Sequence, residues 1–588
     1  MDDLQLETLM RGPVGRPRRA AGGRLALLVL VDSIGPYHSR SIVDETVLVM
    51  LEHLGFPYRL LDLAAQRPAA DLLANCAALV IAQEGVCGRL SDAESRLIAG
   101  AVSEGMGLVN LDWDLRHHRG PLLEIFGFEG VDPRPIASNL FLVPTSEHYI
   151  TWLQPDRAFH QSRRMVTALA VERWRDGVTP LAEAILGKEQ LVYIRHLVPG
   201  NAYEPRHYPM LFAAKWGDGQ AVQWAVNPRL WRQGALGHPG GMSDLLWRGI
   251  VWAARKPFVA NMIPPFVTMS FDDCTGRHGF AYLDACARTG YVPLVGIFLD
   301  HMRAGEMRNL GARARAGEIL VNSHGGSSYY RRFSYDFGVS EYTRAELARN
   351  FAEEDAFYQQ YGLEHSRTVR GHFGEIGTRA LPFFKERGRT LLCTGIHIGE
   401  HKTDQFPEDG YWPYNSLRCF YDYLPDDNDF LIFGAFNERH LVDFLTGATI
   451  WLREAPHNDI EKAADRAAEQ YRNGLSNGFF AEVLTHEQKL DVLSLDEWAR
   501  ILARTEEKVA RFERIFANHD QIGDYLRAKD SSWLARTDLE RGQGVCALEG
   551  RTGRSLQLSV FEGVDGGVER RYLSLPPFDG ASELLELG

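Results

Sequence analysis

The sequence predicts an α/β protein made of two successive strand–helix units, with a β-rich stretch between them and a small β appendage at the end. Three observations predict it. Apolar strand-like runs alternate with helical stretches from residue 24 to about 114. The same rhythm returns from residue 266. Short β-type runs with glycine turns fill the interval. Alternation of this kind implies parallel sheets covered by helices.

Residues 1–22 are rich in Gly, Pro and Arg and read as a flexible arm. Leu25–Val31 then reads as a buried strand, Ser41–Leu54 as a helix, and Tyr58–Leu63 and Ala78–Ala82 as strands. Ser91 opens a helix through Ser103, with Glu94 completing a capping box, and Gly107–Asp112 is the next strand. This is the pattern of a doubly wound, flavodoxin-like domain. Its β-rich insertion, at about 135–230, holds Leu140–Val143, Leu191–Ile194 and a hairpin of Leu211–Trp216 with Val222–Val226 about Gly217-Asp218-Gly219. A Gly-rich loop at Gly237 turns into an amphipathic helix, and Lys256-Pro257 marks a boundary.

From residue 266, seven strand-like runs follow: Phe266–Phe271, Val292–Leu299, Ile319–Asn322, Thr368–Arg370, Leu391–Ile396, Phe430–Phe436 and Phe479–Leu484. Helical stretches such as Arg344–Tyr361 separate several of them. Seven strands suit an incomplete (β/α) barrel, whose chemistry belongs at the C-terminal strand ends. A helical segment is expected from 487 to about 526, then short strands at Val545–Leu548, Leu556–Phe561 and Tyr572–Leu575. The expected divisions are 1–22, 23–255, 262–526 and 540–588.

The bulk numbers bound the function. A chain of 588 residues exceeds one ordinary core. Its net charge of −13 makes nucleic acid a poor partner. The seven cysteines are scattered and form no Cys-x-x-Cys pair, which argues against a disulfide scaffold and against a Cys-ligated zinc site. Leu25–Val31 is too short for an export signal and runs from Arg24 to Asp32 with no small-residue cleavage site, so a cytoplasmic location is expected. No apolar run approaches the roughly 20 residues of a membrane span.

Four polar sites close predicted strands of the second unit. Thr268-Met-Ser-Phe-Asp-Asp-Cys274 ends in two adjacent carboxylates, Asp272 and Asp273, whose side chains diverge and can take different tasks. Ile319-Leu-Val-Asn-Ser-His324-Gly-Gly ends in a histidine followed by glycines, which allow close approach of a ligand. Val369-Arg370-Gly-His372-Phe-Gly-Glu375 and Val483-Leu-Thr-His486-Glu487 are the third and fourth. Each has a bland alternative: a helix cap, a structural histidine or a surface ion pair. All four bland alternatives would have to hold separately.

Phe-Asp-Asp, strand-His, Arg-x-x-Phe-Gly-Glu and Leu-Thr-His, in that order, resemble the polysaccharide deacetylase (NodB homology) family over about 240 residues. The resemblance implies a barrel of deacetylase type, with Asp272 as catalytic base, Asp273 and His324 as metal ligands, Arg370 orienting the base and His486 as general acid. It implies substrate contacts at Phe373 and Gly374, the backbone N–H near Phe373 helping to hold an oxyanion. The cofactor it implies is a divalent metal, zinc foremost, with cobalt or nickel as alternatives. Two departures stand out. The family's second metal histidine falls on Ser328, and its third-motif proline on His372. His372, His397 and His401 are the candidate replacements.

Residues 24–255 are similar to ThuA-like, glutamine-amidotransferase-like domains, on the sheet pattern and Gly237-His-Pro-Gly-Gly-Met-Ser-Asp-Leu-Leu-Trp-Arg. Cys87 lies late in its turn and lacks a Gly-x-Cys-x-Gly elbow, so no glutaminase activity is expected. Glycan binding, substrate presentation or assembly of a homo-oligomer is expected instead. Trp152, Trp174, Trp216, Trp224 and Trp231 could stack on sugars, although tryptophans in β regions more often fill cores. His117, His118 and His238 read as exposed loop residues. The function expected is removal of an N-acyl, foremost N-acetyl, group from an amino sugar or polysaccharide. The alternative is a weak or inactive deacetylase-like module that binds glycan or a protein partner.

Overall fold

A computed structural model of the chain describes residues 20–588 apart from 36, 132–135, 139, 155–159, 163, 187–205, 233–234, 239–240, 326–334, 337–339, 373–374, 394, 398–420, 425–426, 434–443, 446–458, 566, 582–583 and 588. The expected strand Leu191–Ile194 lies outside these residues. The chain is a mixed α/β protein with parallel sheets, and it divides into two compact units, one of residues 263–527 and one of 18–262 with 528–588.

The second of these is built on β1 (Leu27–Val31), β2 (Tyr58–Asp62), β3 (Ala78–Ile81), α1 (Asp92–Ser103), β4 (Gly107–Asn110), β5 (Phe141–Pro144), β6 (His160–Gln161), β7 (Val178–Leu186), β8 (Arg206–Trp216), β9 (Gly219–Trp224) and α2 (Ser243–Ala253). One nine-stranded sheet runs β2-β1-β3-β4-β9-β8-β7-β5-β6. It is parallel from β2 to β9 and antiparallel beyond. The parallel strands β1, β3 and β4 are buried at every position and apolar apart from Asn110, because both faces are covered. The Ser91–Glu94 capping box opens α1. Gly217, at φ +60°, makes the β8–β9 turn, where a Cβ would meet the backbone of Ser103.

The expected helix Ser41–Leu54 is two helices, Tyr37–Glu45 and Val47–His53, broken at Thr46. The Thr46 carbonyl is bonded to Nε2 of His238 at 3.1 Å, and its hydroxyl donates to the Ile42 carbonyl. His238 is therefore buried rather than exposed, and so is His118. Trp224 and Trp231 are buried edge to face, Trp174 and Trp216 pack on the core, and Trp152 is half exposed.

The 263–527 unit holds β10 (Phe266–Cys274), β11 (Leu294–Phe298), β12 (Leu320–Gly325), α3 (Arg344–Tyr361), β13 (Thr368–Val369), β14 (Leu391–Leu392), β15 (Asp427–Phe433), β16 (Ala481–His486), α4 (Leu495–Lys508) and α5 (His519–Asp530, its last residues beyond the unit). One parallel sheet runs β12-β11-β10-β16, with Ile515–Phe516 also pairing with β10. Another runs β13-β14-β15 in parallel, edged by the antiparallel Tyr421–Leu424. The expected helix from 487 to 526 is instead a 3-10 turn over Glu487–Val492, α4, the short strand and α5. Phe516 and Tyr291 meet edge to face, which seats that strand.

The chain end forms β17 (Ser532–Glu540), β18 (Gln543–Thr552), β19 (Leu556–Val564) and β20 (Gly567–Leu575). These pair as antiparallel hairpins, and β19 also pairs with Phe258–Ala260.

Candidate active site

Two β-bulges build the centre of the site. Along β10, Phe271 pairs with Val295 and Cys274 with Ile297, so one residue is extra at Asp272–Asp273. Along β12, Ser323 pairs with Ile297 and Gly325 with Phe298, so His324 is extra. Both motifs thus lie within strands rather than just past their ends, a correction to the sequence reading. A bulge re-aims a side chain out of the regular alternation. Asp273 carries the strain of this at φ +56°, a left-handed conformation uncommon outside glycine.

Re-aimed in this way, Asp273, His324 and His372 converge, one ligand atom of each lying within 4.8 Å of the others. Nε2 of His324 is 3.5 Å from Oδ1 of Asp273, and Nε2 of His372 is 3.4 Å from the same oxygen. The two imidazoles stand edge to face, centroids 5.2 Å apart, with Phe298 against both. The other Asp273 oxygen accepts from Nε2 of Gln488 at 2.8 Å. Burial pushes the Asp273 carboxyl up, but His324, His486 and His372 more than reverse this and hold it below the usual carboxylate range.

His324 is set for ligation by its other nitrogen. Nδ1 lies 3.2 Å from the carbonyl oxygen of Arg370, which can only accept, so Nδ1 donates there, and a ring neutralised on binding an ion would present its Nε2 lone pair. That lone pair faces a carboxylate oxygen which has no hydrogen-bond partner at ordinary distance among the described residues. A tetrahedral ion with bonds of about 2.0–2.1 Å sets its ligands roughly 3.4 Å apart. The donor set and its spacing fit a divalent cation.

Asp272 turns to a second network. Both its oxygens are buried without a hydrogen bond among the described residues, with Nε of Arg370 at 3.7 Å and Nδ1 of His324 at 4.0 Å. Arg370 is fully buried. Its Nη1 donates to Ser270 Oγ at 2.6 Å and pairs with Glu482, whose Oε1 also accepts from Ser270. Nε2 of His519 lies 3.3 Å from Glu482. Burial alone pulls His519 down, but the Glu482 carboxylate and Cys393 raise it to about 9. His486 is buried beside Asp272 in the β10–β16 register. Glu487 accepts from the backbone N–H groups of Thr275 and Arg277 and from the Tyr282 hydroxyl, tying down the segment after Asp273.

Phe373, Gly374, His401 and Ser328 lie outside the described residues, as does the side chain of His397. Glu482, Gln488 and His519 belong to the site and were not found by sequence reasoning. Glu482 alone carried a signal, a carboxylate inside an otherwise apolar strand run.

No protein-family model matches the chain, and no curated protein matches it. Among solved structures, a ThuA-like protein from Bacteroides uniformis is similar at 12% identity, over 41% of this chain and 96% of its own, with a TM-score of 0.28. A peptidoglycan N-acetylglucosamine deacetylase is similar at 14% identity, over 45% of this chain and 91% of its own, TM-score 0.26. A family 4 carbohydrate esterase from Streptomyces lividans is similar at 12%, over 42% and 88%, TM-score 0.24. Likenesses this slight carry no argument about chemistry; the distances in the site do.

Proposed function

We propose that the 263–527 unit is a metal-dependent hydrolase that removes an N-acyl group, foremost N-acetyl, from an amino sugar or polysaccharide. One observation carries the reading: two imidazole nitrogens converge on a single carboxylate oxygen, without a hydrogen-bond partner among the described residues, at the spacing of ligands around one ion. Asp272 is buried and ionically paired beside them.

A divalent cation held by Asp273, His324 and His372 would polarise the scissile carbonyl and make water a better nucleophile. Asp272 takes the proton of the attacking water, and Arg370, 3.7 Å away, orients that carboxylate. Glu482 and Ser270 fix the guanidinium in turn. His486 gives a proton to the leaving nitrogen as the C–N bond breaks, so the products are acetate and a free amine. The proposal takes this unit as an incomplete (β/α) barrel with its site at the C-terminal strand ends, and residues 18–262 as flavodoxin-like. His372 within reach of Asp273 favours hydrolysis over the inactive binding module.

The test is to incubate the zinc-loaded full chain with N-acetylglucosamine oligomers and measure acetate and free amine together. Equal molar release by the parent, absent with Asp272→Asn, is expected. A zinc-loaded chain that binds the oligomers yet releases neither product would overturn the reading in favour of a binding module.

A further inference from the structure

The unit of residues 18–262 carries a second convergence of donor atoms, at the C-terminal ends of β3 and β4. Cys87 begins a 3-10 turn after β3, Asp112 follows β4, and His118 ends the next 3-10 turn. Twenty-five residues separate the first two in sequence, so no spacing motif announces them. Sγ of Cys87, a carboxylate oxygen of Asp112 and a ring nitrogen of His118 lie within 4.8 Å of one another. All three residues are buried, His118 being 8% exposed and the other two fully enclosed.

Hydrogen bonds surround each donor. Nε2 of His118 is 2.9 Å from the carbonyl oxygen of Asp112, which can only accept. Nε2 therefore carries the proton, and Nδ1 keeps its lone pair. The carbonyl oxygen of Asn110 Oδ1 accepts from the backbone N–H of Asp112 at 3.0 Å, which fixes the amide and leaves Nδ2 to donate to Sγ of Cys87 at 3.6 Å. The thiol also reaches Asn110 Oδ1 at 3.9 Å as a donor, so the sulfur has hydrogen-bond partners in both senses within the cluster. The Asp112 carboxylate accepts one backbone N–H on each oxygen, Gly85 at 3.0 Å and Cys87 at 2.8 Å, and each oxygen retains a lone pair. Outer hydrogen bonds to a histidine N–H, a thiolate sulfur and a carboxylate are the usual supports of metal ligands.

We propose that Cys87, Asp112 and His118 form a second divalent-metal site, for zinc or a similar borderline-soft ion. The mixed sulfur, nitrogen and oxygen set selects such ions over magnesium or calcium. On binding, the thiol loses its proton to solvent and the sulfur bonds the ion; no oxidation state changes. Three protein ligands leave one position of a tetrahedral ion for water. The ion would tie together the loops that follow two adjacent parallel strands. This site is independent of the hydrolase reading, because the Asp273 cluster contains no sulfur.

The test uses that difference. The full chain is stripped with chelator, kept reduced and titrated with cobalt(II), and the near-ultraviolet band of thiolate-to-cobalt charge transfer is followed. We expect a saturable band that Cys87→Ser removes and that Cys393→Ser leaves intact. Cys393 is the right control because it sits in the other sulfur-containing cluster among the described residues, with Glu482 and His519. His118→Gln keeps the thiol and should weaken cobalt binding at the band at least about tenfold, which guards against misfolding of the serine variant. No band in the parent, a band unchanged in Cys87→Ser, or a band lost in Cys393→Ser instead would overturn the proposal. None of these outcomes bears on the Asp273 cluster.

Discussion

Nε2 of His372 lies 3.4 Å from Oδ1 of Asp273, the same oxygen that stands 3.5 Å from Nε2 of His324. His372 comes from the segment after β13, so a third strand end supplies the donor that Ser328 does not supply by residue type.

Asp272→Asn removes the base and keeps the shape of the side chain. Turnover should fall on the order of 1,000-fold, while zinc content stays that of the parent, since Asp273 and both histidines are untouched. Retained activity on N-acetylglucosamine oligomers would sink the base assignment.

His486→Ala should lower kcat by about 100-fold or more and leave zinc affinity within a few-fold. The leaving amine then has no donor, and a substrate analogue with a more acidic leaving group should recover part of the rate. Loss of the metal would make His486 a ligand instead.

Gly296 lies under His324, and a Cβ there would sit 3.2 Å from Cβ, Cγ and Nδ1 of that ring. Gly296→Ala should push the ring by a few tenths of an ångström and weaken zinc binding about tenfold. Competition against a fluorescent chelator measures this. Parent-like affinity would show that the ring position is not what sets it.

Much of this site was legible in the sequence, and the limits have physical causes. Asp272, Asp273, His324, Arg370 and His486 stand out as candidates because apolar runs end near polar residues, a local pattern. The bulges at Asp273 and His324 do not, since a bulge depends on pairing with a strand some 20 or more residues away. Of the three candidate replacements, His372 is the one whose side chain is described, and only the fold shows that it reaches Asp273. Glu482 read as part of a strand because only Arg370, 112 positions away, shows its purpose. The break at Thr46 has the same kind of cause, as its partner His238 is 192 residues distant. His118 read as exposed because its partner, the Asp112 carbonyl, is positioned by the sheet.

The buried Glu482–His519 pair sets a pH dependence. His519 is raised from its ordinary 6.5 to about 9 in the fold. The stability contributed by its proton is therefore complete below about pH 6.5 and lost as pH rises through about 9, on the order of 3 kcal/mol in all. The urea midpoint of the full chain should fall between pH 7 and 10 by more than that of His519→Gln. Identical profiles would exclude the pair as the cause. Glu482→Gln should cost about 3–5 kcal/mol, because it leaves Arg370 buried with its main partner neutral.

The most direct measurement is zinc content of the purified full chain in a Cys87→Ser background, with and without Asp273→Ala and His324→Ala together. That background keeps an ion bound at Cys87 out of the count. We expect about one zinc per chain without the pair of alanines and none with it. Equal zinc in both, or none in either after zinc is supplied, would contradict a metal centre at Asp273, His324 and His372.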